Sequence, residues 1–239
     1  MEAVFFSVAF IAIAAFAFLV SRPLDKRILV TYALAAAIYL GADDFVTALP
    51  SVAKGLDLVG AHWNWTGKFL SLVLSALVIV ALRLSPAAVG LTLKQRHTKV
   101  GLVALLLFIA WGISLGLLFR PGVPDAETLL FQATMPGLAE ELVYRGIAPV
   151  ILLGLFRQKP PIDGIPWVVI LSTAIVFGAW HGLRYTDGSF GFDAMSALFP
   201  FIGSIPGGWL RFKTGSLLFT ILAHSFANVA FHVAGGVAA

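Results

Sequence analysis

Long apolar stretches alternate with short polar segments along the whole chain. A bilayer core is about 30 Å thick and takes roughly 20 mainly apolar residues per helical span. The stretches run over 4–20, 28–49, 69–82, 100–119, 128–156, 166–183, 192–209 and 216–234, of which the third is short and the fifth long. The pattern predicts a chain that crosses a membrane about eight times.

The apolar stretches are too evenly apolar for barrel strands, in which apolar and polar positions alternate. Backbone N–H and C=O groups cannot be left unpaired in hydrocarbon, so segments of this kind cross as α-helices. The predicted fold is therefore all-α, a polytopic transmembrane helical bundle, and residues 1–239 form a single membrane domain.

Composition and charge narrow the class of protein further. Hydrophobic residues make up 59% of the chain and charged residues 12%, with a mean hydropathy of +0.95, which excludes a water-soluble globule. The net charge of +4 comes from basic residues at the ends of apolar stretches, beside lipid headgroups, so no nucleic acid partner is expected. The absence of cysteine excludes disulfides, thiolate metal sites and a cysteine nucleophile.

Basic residues in the connections predict the orientation, because cytoplasmic loops collect Lys and Arg. The first stretch lacks a basic segment before it, so we interpret it as an uncleaved helix. One set of alternate connections carries Arg22, Lys26, Arg27, Arg83, Lys94, Arg96, Lys99, Arg157, Lys159, Arg211 and Lys213, and the other carries Lys54, Lys68, Arg120 and Arg184. This asymmetry predicts a multi-pass protein of the cell membrane with both termini outside the cytoplasm.

Ionisable side chains within the later stretches are costly to insert and are therefore candidates for function. The fifth stretch contains Glu140, Glu141 and Arg145. Adjacent helical residues point about 100° apart, so the two carboxylates are expected to have different roles. Glu141 and Arg145 are spaced for an ion pair along the helix, which we interpret as structural. Glu140 shares its face with Tyr144, and its partner is expected on another helix.

Two further stretches each carry polar groups with helical spacing. The sixth has Phe177 and His181, and the eighth has His224 and Asn228, each pair four residues apart. A single membrane histidine usually packs helices, but the joint presence of these groups with an unpaired glutamate favours a functional pocket. By contrast, His232 is expected at the outer surface, and Asp43 and Asp44 at a solvated helix end.

The recognised peptide-cutting motifs that use metal-binding His-Glu-x-x-His, serine or cysteine are absent. The motifs Glu-Glu-x-x-x-Arg, Phe-x-x-x-His and His-x-x-x-Asn, in the order found here, resemble those of the CAAX-protease and bacteriocin-processing (CPBP, or Abi) family. The type II CAAX prenyl endopeptidase of eukaryotes is its best-known member. The resemblance covers residues 127–233 as a catalytic core, and residues 1–126 form the N-terminal spans.

The resemblance implies a membrane-embedded endopeptidase and assigns roles to the motif residues. Glu140, His181, His224 and Asn228 would be catalytic, and a second set would support them, namely Glu141, Tyr144, Arg145 and Phe177. The chemistry agrees: a carboxylate in apolar surroundings is a stronger base, so Glu140 with His181 would activate water. His224 and Asn228 would then donate to the oxyanion. The expected partners are the lipid bilayer and a membrane-proximal peptide or protein, lipidated or prenylated substrates included.

Two alternatives stay open. Glu140, His181 and His224 would also suit a zinc ion with water as the fourth ligand. We favour no metal cofactor, because Glu141, the remaining base, is expected to face Arg145. The other alternative is a non-proteolytic scaffold or immunity protein of the same family, whereas a carrier is disfavoured because the two halves of the chain show no repeat.

Overall fold

The computed structural model describes residues 2–155 and 164–238 of the chain. The α-helices are α1 (Glu2–Ser21), α2 (Val30–Val52), α3 (Trp65–Ala81), α4 (Pro86–Val89), α5 (Thr98–Phe119), α6 (Ala126–Glu141), α7 (Ala148–Leu152), α8 (Trp167–Gly182), α9 (Ala194–Thr214) and α10 (Leu218–Val237). A 3-10 turn, Lys54–Leu56, precedes α3, and a π-helical segment, Leu142–Ile147, joins α6 to α7.

The eight apolar stretches each coincide with helical structure, which confirms a helical membrane bundle. Among the described residues, α1, α2, α5 and α10 are long and apolar enough to cross a membrane, and α3 and α8 are shorter apolar helices. The number of spans therefore stays a prediction. The end of the fifth stretch, with Arg157 and Lys159 beyond it, lies outside the described residues.

Helix α10 lies between α5 and α6 at very short range, because glycines line the contacts. Gly101, Gly112 and Gly116 of α5 face Phe219, Ala227 and Phe231 of α10 in parallel order. Gly137 of α6 faces Ser225 of α10 in the same way. Small residues let membrane helices approach to van der Waals contact, which is where such helices gain their packing energy. This close contact places the polar face of α10 against α6.

The N-terminal helices pack onto the other side of the π-helical segment and α7. Phe10, Phe18, Ile147 and Leu152 are completely buried in one continuous apolar core. Helices α8 and α9 are antiparallel, with Gly178 of α8 against the backbone of α9. Helices α3, α6, α8, α9 and α10 thus surround a common centre.

The π-helical segment Leu142–Ile147 interrupts the regular ladder within the fifth stretch. Its last hydrogen bond runs from the N–H of Ala148 to the carbonyl of Val143, five residues back. Pro149 follows and has no N–H to donate, so a regular α-helical bond to Arg145 is absent. A π turn widens the helix locally and is frequent at functional sites. Glu141 lies directly before this widened turn, and Arg145 lies within it.

A short hairpin follows α8 and was not predicted. Strands β1 (Leu183–Thr186) and β2 (Ser189–Phe192) pair in antiparallel register. The turn is formed by Asp187 and Gly188, which have φ angles of 52° and 77°. Positive φ at both central turn residues suits a type I′ turn, for which Asp-Gly is favoured. The hairpin occupies the connection between the sixth and seventh apolar stretches and leaves the predicted helical bundle unchanged.

Candidate active site

A cavity of about 660 Å³ lies between α3, α5, α6, α8, α9 and α10. Glu140, His181, His224 and Asn228 all line it. Three separate helices therefore bring the four predicted catalytic side chains to one space. Glu141, Arg145 and Phe177 also line the cavity, and Tyr144 packs behind them.

Glu140 is buried and has its charged partner on another helix, as expected. Its Oε1 atom accepts a hydrogen bond from Nζ of Lys68 at 2.7 Å. Lys68 belongs to α3 and is only 8% exposed. The prediction that Lys68 lies in an outer connection is therefore wrong, because α3 begins at Trp65, before the apolar stretch does. The other oxygen of Glu140, Oε2, lies 3.9 Å from Nε2 of His224.

Glu141 forms the predicted pair with Arg145, with Nη1 and Oε1 separated by 3.0 Å. The same oxygen accepts a hydrogen bond from Nδ1 of His224 at 2.8 Å. The prediction that Glu141 points away from the polar pocket is therefore wrong. A histidine whose Nδ1–H donates to a carboxylate has a fixed ring orientation. Glu141 thus both neutralises Arg145 and orients His224.

His181 stands at the end of α8 within a shell of aromatic rings. Its Nδ1 atom lies 2.9 Å from the carbonyl oxygen of Phe177, so Nδ1 carries the donated proton. The rings of Phe177 and Trp180 lie edge-on to the imidazole at 4.5 and 4.8 Å. Tyr144 packs on Phe177 at 4.8 Å, and the Arg145 guanidinium lies 4.3 Å from the Phe177 ring centre. These contacts leave Nε2 of His181 as the nitrogen that can bind another group.

Asn228 is oriented by a residue that the sequence analysis missed. Its Nδ2 atom donates to Oε1 of Gln132 on α6 at 2.9 Å. Since an amide nitrogen carries two protons, one remains for the cavity. An uncharged amide within an apolar stretch was the available signal for Gln132.

Three other residues lie nearer the site than expected. His232 lines the cavity, with its ring edge-on to Trp63 at 6.3 Å, instead of lying on the outer surface. Asp43 accepts from Ser71 at 2.5 Å. Asp44 accepts from Ser7 at 2.6 Å and from Trp180 at 2.8 Å. The prediction of solvated aspartates is wrong, because α1, α3 and α8 cover this end of α2 and supply neutral donors.

Zinc binding at Glu140, His181 and His224 stays an alternative to the metal-free site. Within residues 2–155 and 164–238, no three His, Cys, Asp or Glu side chains are placed to hold a metal ion. One oxygen of Glu140 is paired with Lys68, and Nδ1 of His224 donates to Glu141. In the described part of the chain, the second oxygen of Glu140 and the Nε2 atoms of both histidines remain free of hydrogen bonds, and metal-bound histidines commonly donate Nδ1–H to a carboxylate or carbonyl. The absence of a metal cofactor therefore stays a prediction.

Comparison with known proteins finds a similarity in the C-terminal half of the chain. A family model described as type II CAAX prenyl endopeptidase, Rce1-like, matches residues 124–230. The match confirms the resemblance predicted from the three motifs. Neither the curated proteins nor the solved structures include a match.

Proposed function

We propose a mechanism of peptide hydrolysis for this chain. Its residues 124–230 match the Rce1-like family of type II CAAX prenyl endopeptidases. The chain is accordingly a membrane-embedded peptide hydrolase. In this mechanism a water activated by Glu140 and His181 attacks a peptide bond within the bilayer. The observation that carries the proposal is the convergence of Glu140, His181, His224 and Asn228 on one cavity.

Glu140 acts as the general base. Its Oε1 atom is engaged by Lys68, which leaves Oε2 to accept a proton from water in the cavity. Nε2 of His181 accepts a hydrogen bond from the second O–H of the same water. Nε2 is the acceptor because Nδ1 carries the ring proton and donates it to the Phe177 carbonyl. The water oxygen bonds to the carbonyl carbon as its proton moves to Glu140. Glu140 later returns this proton to the leaving amine as the C–N bond breaks.

His224 and Asn228 stabilise the oxyanion that forms on the carbonyl oxygen. The free N–H of Asn228 and the Nε2–H of His224 supply two donors from one face of α10. In this role His224 directs Nδ1–H to Glu141 and Nε2–H to the oxyanion. A preorganised donor of this kind contributes about 3 kcal/mol to transition-state stabilisation.

The substrate is a membrane-proximal or lipidated chain, for which prenylated peptides are the first class to test. Phe108, Trp111 and Leu115 of α5 and Phe199 of α9 form an apolar wall of the cavity. The glutamates and histidines form its polar wall. A chain with an apolar portion beside its scissile bond therefore matches both walls.

Cleavage by purified protein in liposomes tests the proposal. Prenylated and unmodified forms of one peptide would be incubated with wild-type protein, and the product ends identified by mass spectrometry. Glu140→Gln is expected to lower the rate at least about 100-fold, the contribution of a general base. Glu2→Gln, at a carboxylate outside the cavity described above, is the matched control. A Glu140→Gln protein that cleaves as fast as the wild type would overturn the mechanism.

A further inference from the structure

Lys68 lies outside the segment that matches the family, yet it contacts the proposed base. Its Nζ atom is 2.7 Å from Oε1 of Glu140 and 5.1 Å from the centre of the Trp180 ring. Lys68 and Glu140 are each 8% exposed. A lysine at this depth is expensive in a membrane unless it is paired, so the pair calls for a functional explanation.

The start of α3 holds Lys68 in place. Asn64 caps the helix by accepting from the N–H of Gly67 at 2.9 Å, and it donates to the carbonyl of Thr47 on α2 at 2.8 Å. Gly67 packs against that same carbonyl, where a side chain would collide. The first turn of α3 is therefore fixed on α2, and Lys68 follows directly from it.

Charges around the cavity give Lys68 a specific role. Among the residues lining the described cavity, Lys68 and Arg145 are the lysine and arginine side chains. Arg145 is paired with Glu141, so of these two side chains Lys68 is the one that pairs with Glu140. Asp43 and Asp44 find neutral donors in Ser71, Ser7 and Trp180. The ammonium group of Lys68 therefore pairs with Glu140 and not with either aspartate.

We propose that Lys68 is a positioning residue of the hydrolytic site, which holds Glu140 as a carboxylate and directs its free oxygen towards the reacting water. This inference rests on the proposed function. One oxygen is fixed by the ammonium, and the other is left 3.9 Å from Nε2 of His224, on the cavity side.

The ion pair also favours return of the proton. Protonation of Glu140 by the attacking water leaves the buried ammonium of Lys68 without a counter-charge, which is unfavourable. Transfer of that proton to the leaving amine restores the pair. The N-terminal spans, through α3, thus complete an active site whose four proposed catalytic groups come from α6, α8 and α10.

Steady-state kinetics of three variants test the inference. Lys68→Met removes the charge, Lys68→Arg keeps it, and Lys54→Met is the control at an exposed lysine. The amount of folded protein is measured by size-exclusion chromatography in detergent, and rates are expressed per folded molecule. We expect Lys68→Met to lower kcat at least about 10-fold with little change in KM, as for loss of one charge-assisted hydrogen bond. Lys68→Arg should restore most of kcat, and Lys54→Met should match the wild type.

Chemical rescue separates a positioning role from a structural one. Because Lys68 lines the cavity, propylammonium can replace the side chain missing in Lys68→Ala. It should raise kcat in a saturable manner, whereas propanol should not, and Glu140→Gln should not respond. Unchanged kcat in Lys68→Met, or equal rescue by propanol, would overturn the inference. If Glu140→Gln is inactive in that case, the proposed function stands; if Glu140→Gln is active, the proposed function fails as well.

Discussion

The imidazole of His224 lies between two neighbouring carboxylates, with Nδ1 hydrogen-bonded to Glu141 at 2.8 Å and Nε2 3.9 Å from Glu140. Consecutive residues of one helix therefore contact opposite nitrogens of one ring. The angle of about 100° between them, which suggested unrelated tasks, is what allows this arrangement. Glu141 fixes the ring, and Glu140 faces the nitrogen that points into the cavity.

Removal of Glu141 is expected to affect both stability and activity. Glu141→Ala leaves Arg145 buried and unpaired, which costs about 3–5 kcal/mol. It also frees the His224 ring, and loss of such an orienting partner typically lowers activity about 10–100-fold. Thermal unfolding in detergent and cleavage per folded molecule measure the two effects separately. Unchanged activity per folded molecule would assign Glu141 to stability alone.

Asn228 and Gln132 are expected to differ in the size of their effects. Asn228→Asp replaces the amide donor by an acceptor and should reduce kcat about 100- to 1,000-fold, as for loss of an oxyanion donor. Gln132→Leu only removes the partner that orients Asn228, so its kcat should fall less. Cleavage rates at saturating substrate give the comparison. A larger loss in Gln132→Leu would argue against direct participation of Asn228.

Activity is expected to be independent of a bound metal ion. The ammonium of Lys68 lies 2.7 Å from Glu140, and its positive charge disfavours a second cation at that carboxylate. Treatment with chelators, followed by dialysis, should therefore leave the cleavage rate unchanged. Elemental analysis of the purified protein provides the check. Stoichiometric zinc whose removal abolishes cleavage, and whose return restores it, would favour the zinc mechanism instead.

The orientation in the membrane is expected to follow the charge asymmetry. Moving Lys68 from the connections into the bundle leaves Lys54, Arg120 and Arg184 on the predicted outer side, so the asymmetry increases. Single cysteines at Ser189, in the exposed hairpin, and at Lys94, exposed at the opposite end, would be treated with an impermeant maleimide on intact cells. We expect labelling at Ser189 only. Labelling at Lys94 only would reverse the topology and open the cavity to the cytoplasm.

The sequence predicted most of the architecture because hydrocarbon imposes a strong pattern. All eight apolar stretches coincide with helices. The hairpin was missed although Asp187-Gly188, flanked by Tyr185 and Phe190, is a recognisable turn signal. Its strands are short and lie between two apolar stretches, where the hydropathy pattern favours a helix end.

The four proposed catalytic residues were predictable because each is costly in an apolar helix and spaced for one face. Lys68 was not predictable in the same way. A lysine near the start of an apolar stretch usually extends to the headgroups, and sequence spacing does not show that Glu140 lies opposite it. The contact of Glu141 with His224 was missed for the same reason, since it depends on how α10 approaches α6.

The π-helical segment Leu142–Ile147 has a consequence for how the chain tolerates changes in length. A π turn contains one residue more than the α-helical turn it replaces, so it is equivalent to a single-residue insertion. Deleting one residue there would remove this extra residue and restore a regular helix, so the helix beyond it would keep its place and phase. Leu152 of α7, which is completely buried, would therefore stay in the core. The same deletion in the regular helix α10 would rotate everything beyond it by about 100° and shift it by about 1.5 Å. A one-residue deletion is therefore expected to disturb the fold less in the π turn than in α10.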